Sequence, residues 1–168
     1  MKKIEITGYK NIKRIDPKNP LLKANQLNIQ EEYYTPEIQS TLANKLFMDE
    51  SFENKTELLR DIQKKINCYK QQDIKKNLLN TDLFISLNKT LEKLVISKLR
   101  CHYCRSPMVL FYKTIREPLQ WTLDRIDNDV GHNCDNVVIC CLACNLKRRR
   151  TNADAFLFTK QLKIIKGN

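Results

Sequence analysis

Two Cys-x-x-Cys pairs constrain the fold of this chain more than any other feature. The first pair is Cys101 and Cys104, the second is Cys141 and Cys144, and 36 residues separate the two pairs. Each pair can close a tight turn on one ion, and four thiolates together suit a tetrahedral zinc ion. A single ion bound by both pairs would hold two distant segments of the chain side by side. The sequence therefore predicts a structural zinc site in the C-terminal part of the chain.

The other cysteines do not fit this pattern. The chain has seven cysteines, and its first residues reach an acid before any apolar stretch, which argues against a secretory signal. Metal binding is then a better explanation of the cysteines than disulfides. Cys140 could replace Cys141 as a ligand, but only Cys141 gives the two-residue spacer to Cys144. His102 lies inside the first pair and is interpreted as a surface residue or a neighbour of the site. Cys68 and Cys134 remain outside.

The charge of the chain favours a polyanionic partner. The formal net charge is +11, and more than half of it lies from residue 98 onward, where it includes a run of four basic residues. Such an excess suits nucleic acid, although solubility alone also favours net charge. No stretch reaches the ~20 apolar residues of a membrane-spanning helix, so a membrane protein is not expected. The expected location is intracellular: cytoplasmic, nuclear or viral.

The first hundred residues predict an irregular arm followed by helices. Residues 1–34 contain two helix-breaking prolines and form the predicted arm. Residues 35–99 form the predicted helical region, with a first helix after Thr35, a longer helix over about 55–80 and a third over about 82–99. We interpret the apolar stripes as core, and a partner-binding surface or homo-oligomer contact as the alternative. Basic residues of the arm are either a solvated tail or phosphate contacts: Lys2, Lys3, Lys10, Lys13 and Arg14.

After Arg100 the pattern changes to short β-rich runs and loops. Strands are predicted over residues 108–112, 120–126 and 137–139, and helices over about 144–150 and 155–162. Trp121 is interpreted as a core residue of the hairpin rather than a base-stacking platform.

Several elements of this region match one family in order and spacing. They are Leu123-Asp124-Arg125-Ile126-Asp127, then Gly131-His132, then Asn136-Val137-Val138-Ile139, and last Cys141-Leu142-Ala143-Cys144-Asn145. Here the chain resembles the HNH endonuclease family in its zinc-bearing ββα-metal form, and in particular the compact HNH proteins of phages and large DNA viruses. The resemblance covers about residues 100–150. It implies an α+β fold, in which the helical N-terminal region precedes a zinc-bound ββα-metal nuclease module at residues 100–168.

The resemblance also implies a catalytic site. Asp124 matches the acidic metal ligand that ends the first strand, and Asn145 matches the second metal ligand at the start of the helix. Asn136 matches the central asparagine, which fixes the loop by hydrogen bonds. A carboxylate and an amide oxygen suit Mg²⁺ or another divalent ion, which would assist the hydrolysis of a phosphodiester.

One position departs from the family pattern. The general-base histidine should follow Asp124, but Arg125 stands there, and a guanidinium cannot accept a proton from water. Arg125 could instead bind the scissile phosphate. His132, seven residues later, has suitable chemistry for a base. A phosphate contact or a loop-fixing hydrogen bond is the alternative role for His132. Asp127 is a weaker candidate for the base, better explained as a turn residue or as an outer-shell partner of the site.

These observations lead to one preferred function and two alternatives. The preferred function is a metal-dependent HNH-type endonuclease acting on double-stranded DNA. The alternatives are a non-catalytic zinc protein that binds nucleic acid with a degenerate HNH site, and a structural or assembly protein that binds a protein partner through its helices. The basic run is expected to bind phosphates, with a solvated helix end as the alternative: Lys147, Arg148, Arg149 and Arg150.

Overall fold

The computed structural model describes residue 7 and residues 29–162. It is an α+β structure, as predicted, with helices around one two-stranded antiparallel sheet. A 3-10 turn at Glu31–Tyr34 precedes the helices α1 (Pro36–Phe47), α2 (Lys55–Lys75) and α3 (Leu87–Ile96), the strands β1 (Trp121–Arg125) and β2 (Val137–Cys141), and the helices α4 (Leu142–Arg148) and α5 (Ala153–Gln161). Within the described ranges, no helix combines the length and the apolar character needed to cross a membrane.

The helix α3 begins later than predicted because local side chains stabilise a different backbone before it. The side-chain oxygen of Asn80 accepts two backbone N–H groups of the next turn. The chain then runs extended, and the N–H of Ile85 donates to the carbonyl of His132 at 3.0 Å. Ser86 caps the helix, and its side-chain oxygen accepts the N–H of Lys89. The tertiary pairing with the His132 loop thus replaces the first turn that the sequence suggested.

The predicted strand over residues 108–112 does not form. Gln39, fully buried on α1, binds this segment with its side chain: its amide nitrogen donates to the carbonyl of Phe111 at 3.1 Å, and its Oε1 accepts the N–H groups of Leu110 and Phe111. A buried backbone group needs a partner, but the partner need not be another strand. Here a side chain from the helical region supplies it.

The hairpin β1–β2 carries the residues of interest on defined positions. Its register pairs Trp121 with Cys141 and Asp124 with Val138. Asp124 therefore lies near the end of β1 that leads into the loop, and Cys141 lies at the end of β2 that leads into α4. This arrangement is a β-hairpin followed directly by a helix.

The helical region and the C-terminal region share one hydrophobic core. Buried apolar residues of α1, α2 and α3 belong to the same cluster as residues of the hairpin and α5, including Leu42, Ile62, Leu94, Leu123, Ile139 and Phe156. Trp121 is buried in this core, as predicted. The boundary expected at residue 100 thus marks a change from a helical to a β-rich sequence pattern. It does not separate two hydrophobic cores. The basic residues of the predicted arm lie outside the described residues, as do residues 163–168.

Candidate zinc cluster and adjoining acidic site

The four cysteines of the two pairs come together, which confirms the prediction from their spacing. The sulfur atoms of Cys101, Cys104, Cys141 and Cys144 all lie within 4.8 Å of one another. Four sulfurs bound tetrahedrally to one zinc at 2.3 Å would be about 3.8 Å apart. The Sγ atoms of Cys104 and Cys141 are 3.9 Å apart. The cluster is thus compatible with a structural zinc ion.

Local structure places both pairs. The first pair lies in a tight turn, closed by the N–H of Cys101 on the carbonyl of Ser106 and by a left-handed residue, Arg105, with φ of 61°. The second pair uses the strand-to-helix junction: Cys141 ends β2 and its sulfur accepts the N–H of Cys144 in the first turn of α4. The cluster therefore ties the turn at residues 101–105 to the base of the hairpin and helix.

Hydrogen bonds prepare the cluster for a cation. The Cys141 side chain and backbone N–H groups bind the sulfur of Cys101 and lower the pKa of that thiol to about 4, while the same hydrogen bond raises the pKa of Cys141. Because the thiolate is the form that binds metal, the hydrogen bonds to Cys101 favour its metal-binding form.

The neighbouring candidates lie outside the cluster. Cys140 is buried, but its backbone carbonyl and sulfur contact the Thr122 hydroxyl, and it does not join the four sulfurs. His102 packs edge-on against the ring of Tyr103 and is likewise not part of the ligand group. The two-residue spacer therefore distinguished Cys141 from Cys140 correctly.

Asn136 fixes the loop between the two strands. Its Oδ1 accepts the N–H of Asp127 at 2.9 Å, and its Nδ2 donates to the carbonyls of Asp127, Val130 and Gly131. Asp127 in turn accepts the N–H of Asp129 with its side chain, which is the contact of a turn residue. One amide side chain thus connects three points of the loop and holds the end of β1 in place.

Asp124 lies in a closed, fully paired environment. Its Oδ2 accepts from Arg148 Nε at 2.6 Å and from the Tyr103 hydroxyl at 2.7 Å, and its Oδ1 accepts from Arg148 Nη2 at 2.9 Å. The Arg148 side chain is 0% exposed and that of Asp124 is 6% exposed. Burial raises the pKa of Tyr103, so its phenol stays a proton donor to the carboxylate. The carboxylate expected to bind a divalent ion is therefore neutralised by a guanidinium.

Asn145, in the first turns of α4, contacts β1 immediately before Asp124. Its Nδ2 donates to the Thr122 hydroxyl and to the carbonyl of Leu123, both at 3.1 Å. Leu123 immediately precedes Asp124 on β1. With the amide nitrogen engaged in this way, Oδ1 is the atom of Asn145 that could bind a cation. Asn145 is thus held against β1 at the two residues that precede Asp124.

His132 lies on the other side of the loop, against the helical region. Its backbone N–H donates to Asp73 Oδ2 at 2.6 Å, and its ring Nδ1 lies 2.8 Å from Asp73 Oδ1. The ring also packs against Tyr69, with centroids 4.7 Å apart. Burial lowers the pKa of His132, and the Asp73 carboxylate only partly opposes this effect. These contacts match the loop-fixing alternative rather than the role of an accessible base.

Gly131 explains why the loop can approach α2 so closely. A Cβ atom at this position would lie 2.4 Å from the carbonyl oxygen of Leu78 and 3.0 Å from Asp73 Oδ2. Any side chain would therefore separate the loop from the end of the helix.

The basic side chains divide into buried and exposed ones. Arg125 is buried and donates to the carbonyl of Val130 at 3.2 Å, so its guanidinium also stabilises the loop. Arg148 is fully buried and departs from the expectation that the whole run contacts phosphates. Lys147, Arg149 and Arg150 are exposed. Only these three residues of the run form an accessible basic surface.

Two contributors to the site escaped the sequence analysis. Asp73 lies far from the cysteine region, but it follows Tyr69 by four residues and so continues the buried stripe of α2. Tyr103 lies between the first two cysteines, where it resembles a spacer. One signal did exist for Arg148: it follows Cys144 by four residues, so both share the buried face of α4.

Comparison with known proteins adds no assignment, since no protein-family model, curated protein or solved structure matches this chain.

Proposed function

We propose that this chain is an HNH-type endonuclease: a zinc-stabilised protein that hydrolyses phosphodiester bonds of DNA with the help of a divalent ion. The proposal rests on the residue pattern of residues 100–150 together with one observation. The cysteine cluster lies at the corner where β2 meets α4, and at the same corner Asn145 donates to Thr122 and Leu123, the two residues of β1 before Asp124.

The residues at this corner suit a hard divalent cation. Asp124 offers a carboxylate and Asn145 an amide oxygen, the two donor types that Mg²⁺ prefers, and both are fixed by hydrogen bonds. Such an ion, when bound, stabilises the negative charge that develops on a phosphate during hydrolysis. Asp124 and Asn145 are the residues that would hold it.

Other residues position the site and bind the nucleic acid in this proposal. Asn136 orients the loop, and the exposed residues Lys147, Arg149 and Arg150 bind the nucleic-acid backbone. Such contacts give affinity without sequence preference. We assign no proton transfer to His132, because its ring is buried and its Nδ1 is paired with Asp73.

A plasmid assay tests the proposal directly. Zinc-loaded protein should relax or linearise supercoiled plasmid with added Mg²⁺, and the products should disappear without a divalent ion. Zinc content is measured after the metal-free incubation, so that loss of cleavage is not confused with loss of the structural ion. Absence of cleavage with Mg²⁺, Mn²⁺ and added Zn²⁺ would contradict the proposal.

The ion pair between Asp124 and Arg148 favours a second candidate. A carboxylate whose two oxygens already bind a guanidinium is what a binding protein with a degenerate site would retain. On this reading the protein binds nucleic acid through the exposed basic residues and cleaves nothing. Salt-dependent binding of DNA, together with no cleavage under any of the metal conditions, would identify this function.

A further inference from the structure

The Asp124 carboxylate has a resident cation. Arg148 makes two hydrogen bonds to it, through Nε and Nη2, in the bidentate geometry that gives the strongest pairing of arginine with a carboxylate. Neither side chain is more than 6% exposed. Because an isolated charge is costly to bury, each of the two groups requires the other in the structure described.

The arginine is held on its other side as well. Its Nη1 donates to the carbonyl of Thr151 at 2.6 Å, and its Nη2 also donates to the carbonyl of Arg125. These contacts fix the guanidinium between α4, the following turn and the end of β1. Arg148 is thus a fixed, buried part of the site and not a surface side chain that lies across it.

We infer that Arg148 holds the place of a divalent ion at Asp124, so that the ion and the guanidinium compete for one carboxylate. This inference rests on the proposed function, because it concerns the cation that the proposed reaction uses. While Arg148 is paired with Asp124, the site is closed to divalent ions. Binding of an ion then requires Arg148 to leave Asp124, and the affinity for the free ion is correspondingly weak.

Removing the arginine charge should therefore create a stronger ion site. We would measure binding of Mn²⁺ to full-length, zinc-loaded protein by electron paramagnetic resonance, with no nucleic acid present. Arg148→Gln should bind Mn²⁺ about tenfold more tightly than the wild type, or better, since close opposite charges in proteins are coupled at least this strongly. Arg149→Gln is the matched control, because it removes the same charge from the adjacent exposed position and should leave the affinity unchanged.

Two further variants locate the site and guard against misfolding. Adding Asp124→Asn to Arg148→Gln should abolish the gained affinity, which places the ion at Asp124. Arg148→Lys keeps a buried cation but loses the bidentate geometry, and it should show an intermediate gain; it is the variant to use if Arg148→Gln does not fold. Zinc content and circular dichroism establish folding in each case.

The result that overturns the inference is a Mn²⁺ affinity for Arg148→Gln or Arg148→Lys equal to that of Arg149→Gln. This outcome is separate from the fate of the proposed function. Cleavage by the wild type without a gain in Arg148→Gln would refute the competition and leave the nuclease. A gain in Arg148→Gln without any cleavage would keep the competition and favour the binding protein.

Discussion

Asp73 of α2 binds His132 of the loop twice, once through the backbone N–H and once through the ring Nδ1. Both side chains are almost fully buried. The pair connects the helical region to the loop between β1 and β2, the same loop that Asn136 fixes by hydrogen bonds. The helical region therefore contributes to the candidate site through Asp73, which positions the loop.

This pair predicts an acid-sensitive structure. Burial lowers the pKa of His132 below its ordinary value near 6.5, so the unfolded chain takes up a proton that the folded chain does not. The free energy of unfolding should then fall as the pH drops from 7.5 to 5.5, by at most about 1.4 kcal/mol per pH unit from this residue. Urea unfolding of wild type and His132→Gln at both pH values measures the contribution.

The other histidine provides the control for this measurement. His102 is less buried, so His102→Gln should remove less of the pH dependence than His132→Gln. A pH dependence that is the same in His132→Gln as in the wild type would contradict this role of His132.

The cysteine cluster predicts one zinc ion per chain. Cys104→Ser removes one of four ligands, and we expect loss of the zinc and a lower unfolding temperature, because metal binding and folding are coupled. Inductively coupled plasma mass spectrometry and a thermal melt give the two readouts. Two controls should both keep one zinc. Cys140→Ser changes the neighbour of a ligand outside the cluster, and Cys68→Ser changes a cysteine of the helical region. A full equivalent of zinc in Cys104→Ser would contradict the four-cysteine site.

The exposed basic residues predict salt-dependent DNA binding. Replacing Lys147 and Arg149 by glutamine should weaken binding to all sequences and reduce the log–log salt slope by about 1–2 units, because two phosphate contacts are lost. Fluorescence anisotropy across a salt series measures both quantities. The matched control replaces Lys64 and Lys70, two exposed lysines of α2. An equal effect of the two double variants would show that only net charge matters.

The cluster was predictable because its signal is local: two turns of fixed spacing and one ion that satisfies both. The partners of buried polar groups were not predictable in the same way. Gln39 replaces a strand partner for the segment around Phe111, and no feature near either residue announces the contact. Arg148 sits in a basic run whose other members are exposed, so composition placed it at the surface, whereas the helical period relative to Cys144 places it inside.

The proposed function requires Asp124 to bind a divalent ion at the end of β1. We expect Asp124→Asn, matched to wild type in zinc content and in DNA affinity, to lose Mg²⁺-dependent cleavage by a large factor, since it removes the charged ligand while preserving the shape of the side chain. Asp135→Asn is the control, because it makes the same change at an exposed position of the same loop.

Single-turnover cleavage of a labelled DNA duplex is the most direct measurement. We expect wild-type rates for Asp135→Asn and no detectable product for Asp124→Asn. Wild-type rates in both variants would contradict the proposed role of Asp124.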